Sequence, residues 1–215
     1  MLSVAKVGSA GGAANYYSQE DNYYFLGEQS TKWFGEGAKR LGLEGAVDKD
    51  TFKQVLEGRL PDGSDLSHIR NGENVHRAGY DYTFSAPKSV SLLALIQGDK
   101  DVLNAHKSAV EKVMTEIESL ASTRSMETQE KDIVETKNLV SALFLHDTNR
   151  NLEPHLHTHA IVANATYDEN TEKFKTLSTD KTGNSKGFVE VTWNNKIALG
   201  KLYRSFLKEE LASQG

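Results

Sequence analysis

Residues 138–165 read NLVSALFLHDTNRNLEPHLHTHAIVANA. Two β-like segments, Asn138–His146 (NLVSALFLH) and Leu156–Ala165 (LHTHAIVANA), flank the polar stretch Asp147–Pro154 (DTNRNLEP). Its Asp, Asn and Pro residues favour a turn, so the pattern predicts an antiparallel hairpin. Four of the chain's seven histidines fall here: His146, His155, His157 and His159. Strand residues two apart share a face at a spacing of about 7 Å, so His157 and His159 point the same way. A turn centred between residues 151 and 152 sets position 146 opposite 157, with Cβ atoms about 5 Å apart. One sheet face then carries His146, His157 and His159. Three neutral nitrogen donors with coordination positions left open suit a catalytic divalent ion better than a closed structural site. His155 shares the alternation, but its Cα lies roughly 13 Å from that of His159 along a straight strand, too far for convergence. Pro154 also disfavours regular pairing there. Ordinary polar residues on an exposed strand are the plain alternative.

Working outward, the 215-residue chain has an ordinary globular mixture, 38% hydrophobic and 26% charged. It has no cysteine, which excludes disulfide scaffolds, Cys-ligated metal sites and thiol nucleophiles. No apolar run approaches the roughly 18 residues of a membrane span. The start, MLSVAKVGSAGGAANYY, lacks the continuous apolar region of a signal peptide. A soluble, cytoplasmic protein is expected. The net charge of −5 does not announce a nucleic-acid binder, although a local basic groove is compatible with it.

The rest of the pattern mixes helices and strands without regular alternation. Thr31–Leu43 reads as a helix weakened by Gly35, Gly37 and Gly42. Asp48–Glu57 reads as a second helix, capped by Asp48 and stopped by Gly58. Tyr80, Tyr82 and Phe84 alternate with Asp81 and Thr83 as in a strand, and Pro87 suits the first turn of a helix reaching about Ile96. Asp101–Ala121 has the clearest helical period, Lys173–Leu177 suggests another strand, and Trp193–Leu211 a closing helix with Thr192 as N-cap. The expected fold class is α+β, a central antiparallel sheet flanked by helices. His68, His76 and His106 lie apart from the cluster and suit surface or packing roles.

Two tyrosine doublets, Tyr16-Tyr17 and Tyr23-Tyr24, stand seven residues apart, about two helical turns. Aromatic packing is the ordinary account of them. The chemical account is a phenol nucleophile, which needs a base or cation because its pKa is near 10. Histidine ligands beside phenols favour nucleotidyl transfer over peptide or ester hydrolysis.

NYY (Asn15–Tyr17), DNYY (Asp21–Tyr24), FSAPKSVS (Phe84–Ser91), HD (His146-Asp147) and LHTHA (Leu156–Ala160) occur in that order. In this combination the whole chain resembles the conjugative relaxases of the MobF, or TraI/TrwC-like, group of HUH endonucleases. The resemblance implies one relaxase (DNA strand transferase) domain over residues 1–215, with the segment that closes over DNA in longer relatives lying outside it. It implies nicking and rejoining of single-stranded DNA at a plasmid transfer origin, through a tyrosine joined to the 5′ phosphate. Tyr16 matches the first nucleophile, and Tyr17, Tyr23 or Tyr24 the second. His146, His157 and His159 match the metal ligands, with Mg²⁺ or Mn²⁺ the expected ion. Asp81 matches a carboxylate that orients a histidine or accepts the tyrosine proton, and His155 stands where the family has Gln.

Lys88, Lys196, Lys201 and Arg204, with Lys208, are the candidate DNA contacts, and Tyr80, Tyr82 or Trp193 the candidate stacking surfaces. Other relaxosome proteins are expected partners. Two other readings stay open: a rolling-circle replication initiator, and a metal-containing DNA-binding domain without catalysis.

Overall fold

The computed structural model describes residues 1–17, 30–125, 133–180 and 186–213. It begins β1 (Leu2–Lys6), α1 (Ala10–Tyr17), β2 (Thr31–Phe34), α2 (Glu36–Arg40) and α3 (Lys49–Leu56). A short ribbon, β3 (Ile69–Arg70) and β4 (Glu73–Asn74), leads to β5 (Gly79–Ser85), α4 (Lys88–Leu95) and α5 (Lys100–Ser119). A second ribbon, β6 (Ser122–Arg124) with β7 (Ile133–Glu135), precedes β8 (Ser141–Thr148) and β9 (Pro154–Ala163). The chain closes through β10 (Thr166–Asp168), β11 (Lys173–Lys175), α6 (Phe188–Asn194) and α7 (Lys196–Ser213).

The main sheet has the order β1-β5-β9-β8-β2, and every pairing is antiparallel. Period-two alternation divides its side chains between two cores. Tyr80, Tyr82, Phe84, Leu143, Leu145, Leu156, Ala160 and Val162 pack with α4, α5 and α7. Ala142, Phe144, Ile161 and Ala163 pack on the opposite face with α1, α2 and α3. Each large side chain so enclosed contributes about 1.5–3 kcal/mol. Helices on both faces make the sheet a rigid middle layer.

Three sequence expectations need correction. Residues 31–43 do not form one helix: Thr31–Phe34 pairs along β8, and the helix begins only at Glu36. Gly35 turns the chain at φ +107, and a Cβ on Gly37 would meet the Leu139 carbonyl oxygen at 2.8 Å, so these glycines serve a close backbone crossing. The closing helix is two, separated at Asn195, and Thr192 is not its N-cap. Thr192 lies buried within α6, where its hydroxyl bonds the Phe188 carbonyl at 3.0 Å and the Tyr82 hydroxyl at 2.7 Å. The edge strand β1 carries too short a pattern to announce itself, and only pairing with β5 defines it.

The other elements that the sequence led us to expect lie close to their predicted positions, whereas the short strands β3, β4, β6, β7 and β10 were not anticipated. Asp48 caps α3 by accepting from Thr51 N at 2.8 Å, and Pro87 immediately precedes α4. Asp99 caps α5 through Asp101 N and Val102 N.

His106 of α5 has no exposed surface. Its Nδ1 lies 2.8 Å from the Tyr203 hydroxyl and its Nε2 2.8 Å from that of Thr158. Burial lowers its pKa from 6.5 to about 3. Between these values the unfolded chain binds a proton that the folded chain refuses. The stability tied to neutral His106 is therefore complete above pH 6.5 and lost progressively as pH falls toward 3. In urea unfolding at pH 7, 6 and 5, His106→Gln should lose stability less steeply than the unsubstituted chain, by up to ~1.4 kcal/mol per pH unit. Parallel pH profiles would refute this account.

Candidate active site

The hairpin has the register anticipated from its turn: His146 pairs with His157, and Phe144 with His159. A bulge at buried Asp147 shifts the register before Thr148 meets Pro154. That irregularity beyond the triad agrees with the disfavour expected at Pro154. The three imidazoles stand as a tight group, with ring centroids 5.4 Å (146–157), 5.1 Å (146–159) and 5.0 Å (157–159) apart. One ring nitrogen from each lies within 4.8 Å of the others.

Two of the rings are fixed from behind. The Nδ1–H of His159 donates to Asp81 Oδ2 at 2.8 Å, and that of His157 to the His155 backbone carbonyl at 2.8 Å. Such bonds select the tautomer that turns Nε2 inward. Burial also lowers the His157 pKa to about 4, so its ring is neutral near pH 7. Among the described residues, the buried Nε2 of His159 has no hydrogen-bond partner. An inward-facing lone pair without a donor is what a metal ligand requires. Bonds of about 2.1 Å at tetrahedral angles put ligand nitrogens roughly 3.4 Å apart, so modest ring rotations close the triad on one ion. The residues fit a metal site.

Asp81 joins this group across the sheet. It stands on β5 two residues before Thr83, the register partner of His159. Its Oδ2 also accepts from the Tyr17 hydroxyl at 2.8 Å, and its Oδ1 from Thr83 Oγ1 at 3.1 Å. Against the two roles expected for Asp81, its contacts include both a histidine ring to orient and a tyrosine hydroxyl.

The first tyrosine doublet ends α1. Ala13 and Ala14 are buried on this helix, in the core it shares with α3 and one face of the sheet. Tyr16 is 50% exposed, and its ring lies 6.0 Å from that of His159 and 6.4 Å from that of His146. Tyr17 turns inward against Phe144 and His159. Desolvation, then the charge and hydrogen bond of Asp81, raise the Tyr17 pKa well above the phenol range. Tyr23 and Tyr24 lie outside the described residues.

Apart from Ser85, the register partner of His157, the FSAPKSVS motif buttresses β9 from outside the triad face. Ala86 N donates to Leu156 O at 3.0 Å, and Ser91 Oγ accepts from Leu156 N at 3.1 Å. Lys88 is exposed and donates to Pro154 O at 3.1 Å. Lys201, Arg204 and Lys208 are exposed along α7, and Lys196 stands 4.6 Å over the Trp193 ring. Tyr80 and Tyr82 are buried in the core, which removes them as stacking surfaces and leaves Trp193, 44% exposed. Thr83 escaped the sequence reading, although its spacing from Asp81 was a usable signal. The His155 carbonyl is a backbone group and left none.

Comparison with known proteins shows the family. A TrwC relaxase family model matches residues 10–215. The chain belongs to the TrwC relaxase family. It is 54% identical to the multifunctional conjugation protein TraI of Escherichia coli (strain K12), over all of this chain and 12% of that protein. The chain thus spans about an eighth of that relative's length. The metal-bound structure of conjugative relaxase TrwC in complex with oriT DNA superposes with a TM-score of 0.85 at 34% identity. That match covers 100% of this chain and 71% of the chain in that structure. A copper-bound TrwC–oriT complex matches with a TM-score of 0.85 at 35% identity, again over 100% of this chain and 71% of the other. Among the described residues no helix is long and apolar enough to cross a membrane.

Removing one imidazole should leave the TrwC-like fold standing while weakening the ion site. His157→Ala is expected to lower Mn²⁺ affinity at least about tenfold by calorimetry. An unchanged dissociation constant would remove His157 from the ligand set.

Proposed function

We propose that this chain nicks and rejoins single-stranded DNA at a plasmid transfer origin, with Tyr16 as the first nucleophile. The single observation that carries the reading is the exposed Tyr16 phenol beside a histidine triad whose ring nitrogens converge. Membership of the TrwC relaxase family supports it, as does the oriT DNA in the matching TrwC structures.

Tyr16 Oη forms a bond to a backbone phosphorus as the bond from phosphorus to the 3′ oxygen breaks. The products are a 5′-phosphotyrosine and a 3′ hydroxyl. The phenol loses a proton and the leaving oxygen gains one, so the step is balanced and reversible. His146, His157 and His159 would hold a divalent ion, Mg²⁺ or Mn²⁺ in the cell, although imidazoles also accept other transition ions. Once bound, the ion supplies Lewis-acid polarisation of a non-bridging phosphate oxygen.

Asp81 keeps His159 in its ligating tautomer and holds the Tyr17 hydroxyl out of competition. Tyr17 is held as a neutral phenol by burial and by Asp81, which disfavours it as the first nucleophile. A second transfer falls to Tyr23 or Tyr24, or to Tyr17 after release from Asp81. Lys88 beside β9, and Lys196, Lys201 and Arg204 on α7, offer cations to the DNA backbone, while Trp193 offers a stacking face. In this reading the chain works in the cytoplasm with other relaxosome proteins.

Incubating the chain with an origin-derived single strand and Mn²⁺ should yield a covalent adduct on a denaturing gel. Tyr16→Phe should cut its yield at least about a hundredfold, whereas Tyr17→Phe should keep most of it. Equal adduct from Tyr16→Phe would transfer the nucleophile to another tyrosine. Absence of adduct from the unsubstituted chain at full DNA occupancy would favour DNA binding without chemistry.

A further inference from the structure

Thr158 stands between two of the imidazoles that form the triad, and strand alternation turns it to the opposite face of the sheet. There its register neighbours are Phe84 on β5 and Leu145 on β8, neither of which can bond a hydroxyl. The hydroxyl instead meets His106 Nε2 at 2.8 Å. The second nitrogen of His106 meets the Tyr203 hydroxyl at 2.8 Å. His106 and Tyr203 are fully enclosed and Thr158 is 4% exposed, so water offers no substitute for these bonds. A neutral imidazole has one donor and one acceptor, and two hydroxyls satisfy both in either tautomer.

We propose that His106 is a positioning residue for the metal centre, pinning the backbone between His157 and His159 from the opposite face of the sheet through Thr158. Neighbouring Cα atoms are 3.8 Å apart in a trans chain, so any displacement at Thr158 passes directly to both ligand positions. Ligand geometry tolerates only a few tenths of an ångström, and a partner that fixes ligand orientation typically matters 10–100-fold in metal affinity. Asp81 and the His155 carbonyl hold the rings, whereas His106 holds the strand that bears them. The inference rests on the triad being a metal site.

Two pairs of variants separate positioning from packing. Thr158→Val keeps the side-chain shape and removes the hydroxyl, whereas Thr158→Ser keeps the hydroxyl and removes a methyl. His106→Gln can reach the Nε2 position, while His106→Asn reaches only that of Nδ1. Mn²⁺ affinity is read by calorimetry and the ligand field by Cu²⁺ electron paramagnetic resonance, with melting of the metal-free chain followed alongside.

Thr158→Val and His106→Asn should each lose about tenfold in Mn²⁺ affinity and alter the Cu²⁺ spectrum. Thr158→Ser and His106→Gln should stay near the unsubstituted chain. The Thr158→Val/His106→Asn double variant should lose no more than either single one. Unaltered Mn²⁺ affinity in Thr158→Val or in His106→Asn would overturn the proposal, as would a greater loss in Thr158→Ser than in Thr158→Val. Failure of the unsubstituted chain to bind Mn²⁺ or Cu²⁺ would overturn the metal-site reading along with it.

Discussion

The register between β8 and β9 is the constraint on which the rest of the structure depends. With His146 opposite His157, rings from both strands share one face. A slip of one residue in either strand would send that strand's histidines to the other face and take its apolar residues out of both cores. The same displacement would remove Phe144 and Ile161 from the core against α1–α3, and Leu145 and Leu156 from that against α5. Hydrophobic burial on two faces therefore enforces the alignment of three polar rings. The bulge at Asp147 absorbs the irregularity beyond His146, where the register no longer affects the triad.

β5 carries this alignment toward the chemistry. It pairs with β9 on the side away from β8, so Asp81 and Thr83 share the face that bears His159. The carboxylate gathers three groups: the His159 ring, the Tyr17 hydroxyl and the Thr83 hydroxyl. It thereby ties the end of α1 to the sheet. The N-terminal helix needs this tie because its residues are mostly small, with Ala13 and Ala14 its buried contacts. This polar anchor holds the phenols beside the imidazoles.

Much of this was legible in residues 138–165 because a hairpin is local. The turn residues fix its centre, and the two-residue period then dictates which histidines meet. The grouping of His146, and not His155, with His157 and His159 followed from the turn-centred register together with distance along a strand. Elsewhere the decisive contacts join distant parts of the chain. Thr31–Phe34 has no intrinsic signal strong enough to declare a strand, and its edge pairing with β8 decides the matter. The burial of Thr192 against Tyr82 likewise depends on packing across more than a hundred residues. Asp81 could be placed beside the site from its motif, but its bond to Tyr17 spans 64 positions and has no local signature.

The two adjacent tyrosines show why residue type alone does not assign a role. Tyr16 and Tyr17 have the same phenol and the same helix, yet successive helical positions diverge by about 100°. One ring is consequently half exposed at the imidazoles, and the other is partly buried and bonded to a carboxylate. An anionic phosphate can approach the first without displacing protein contacts. To engage the second, it must break the Asp81 bond and meet a carboxylate's repulsion. The neighbours thus differ through the electrostatics of Asp81 as much as through exposure. The carboxylate that bonds the His159 ring also ties up one phenol and leaves the other open.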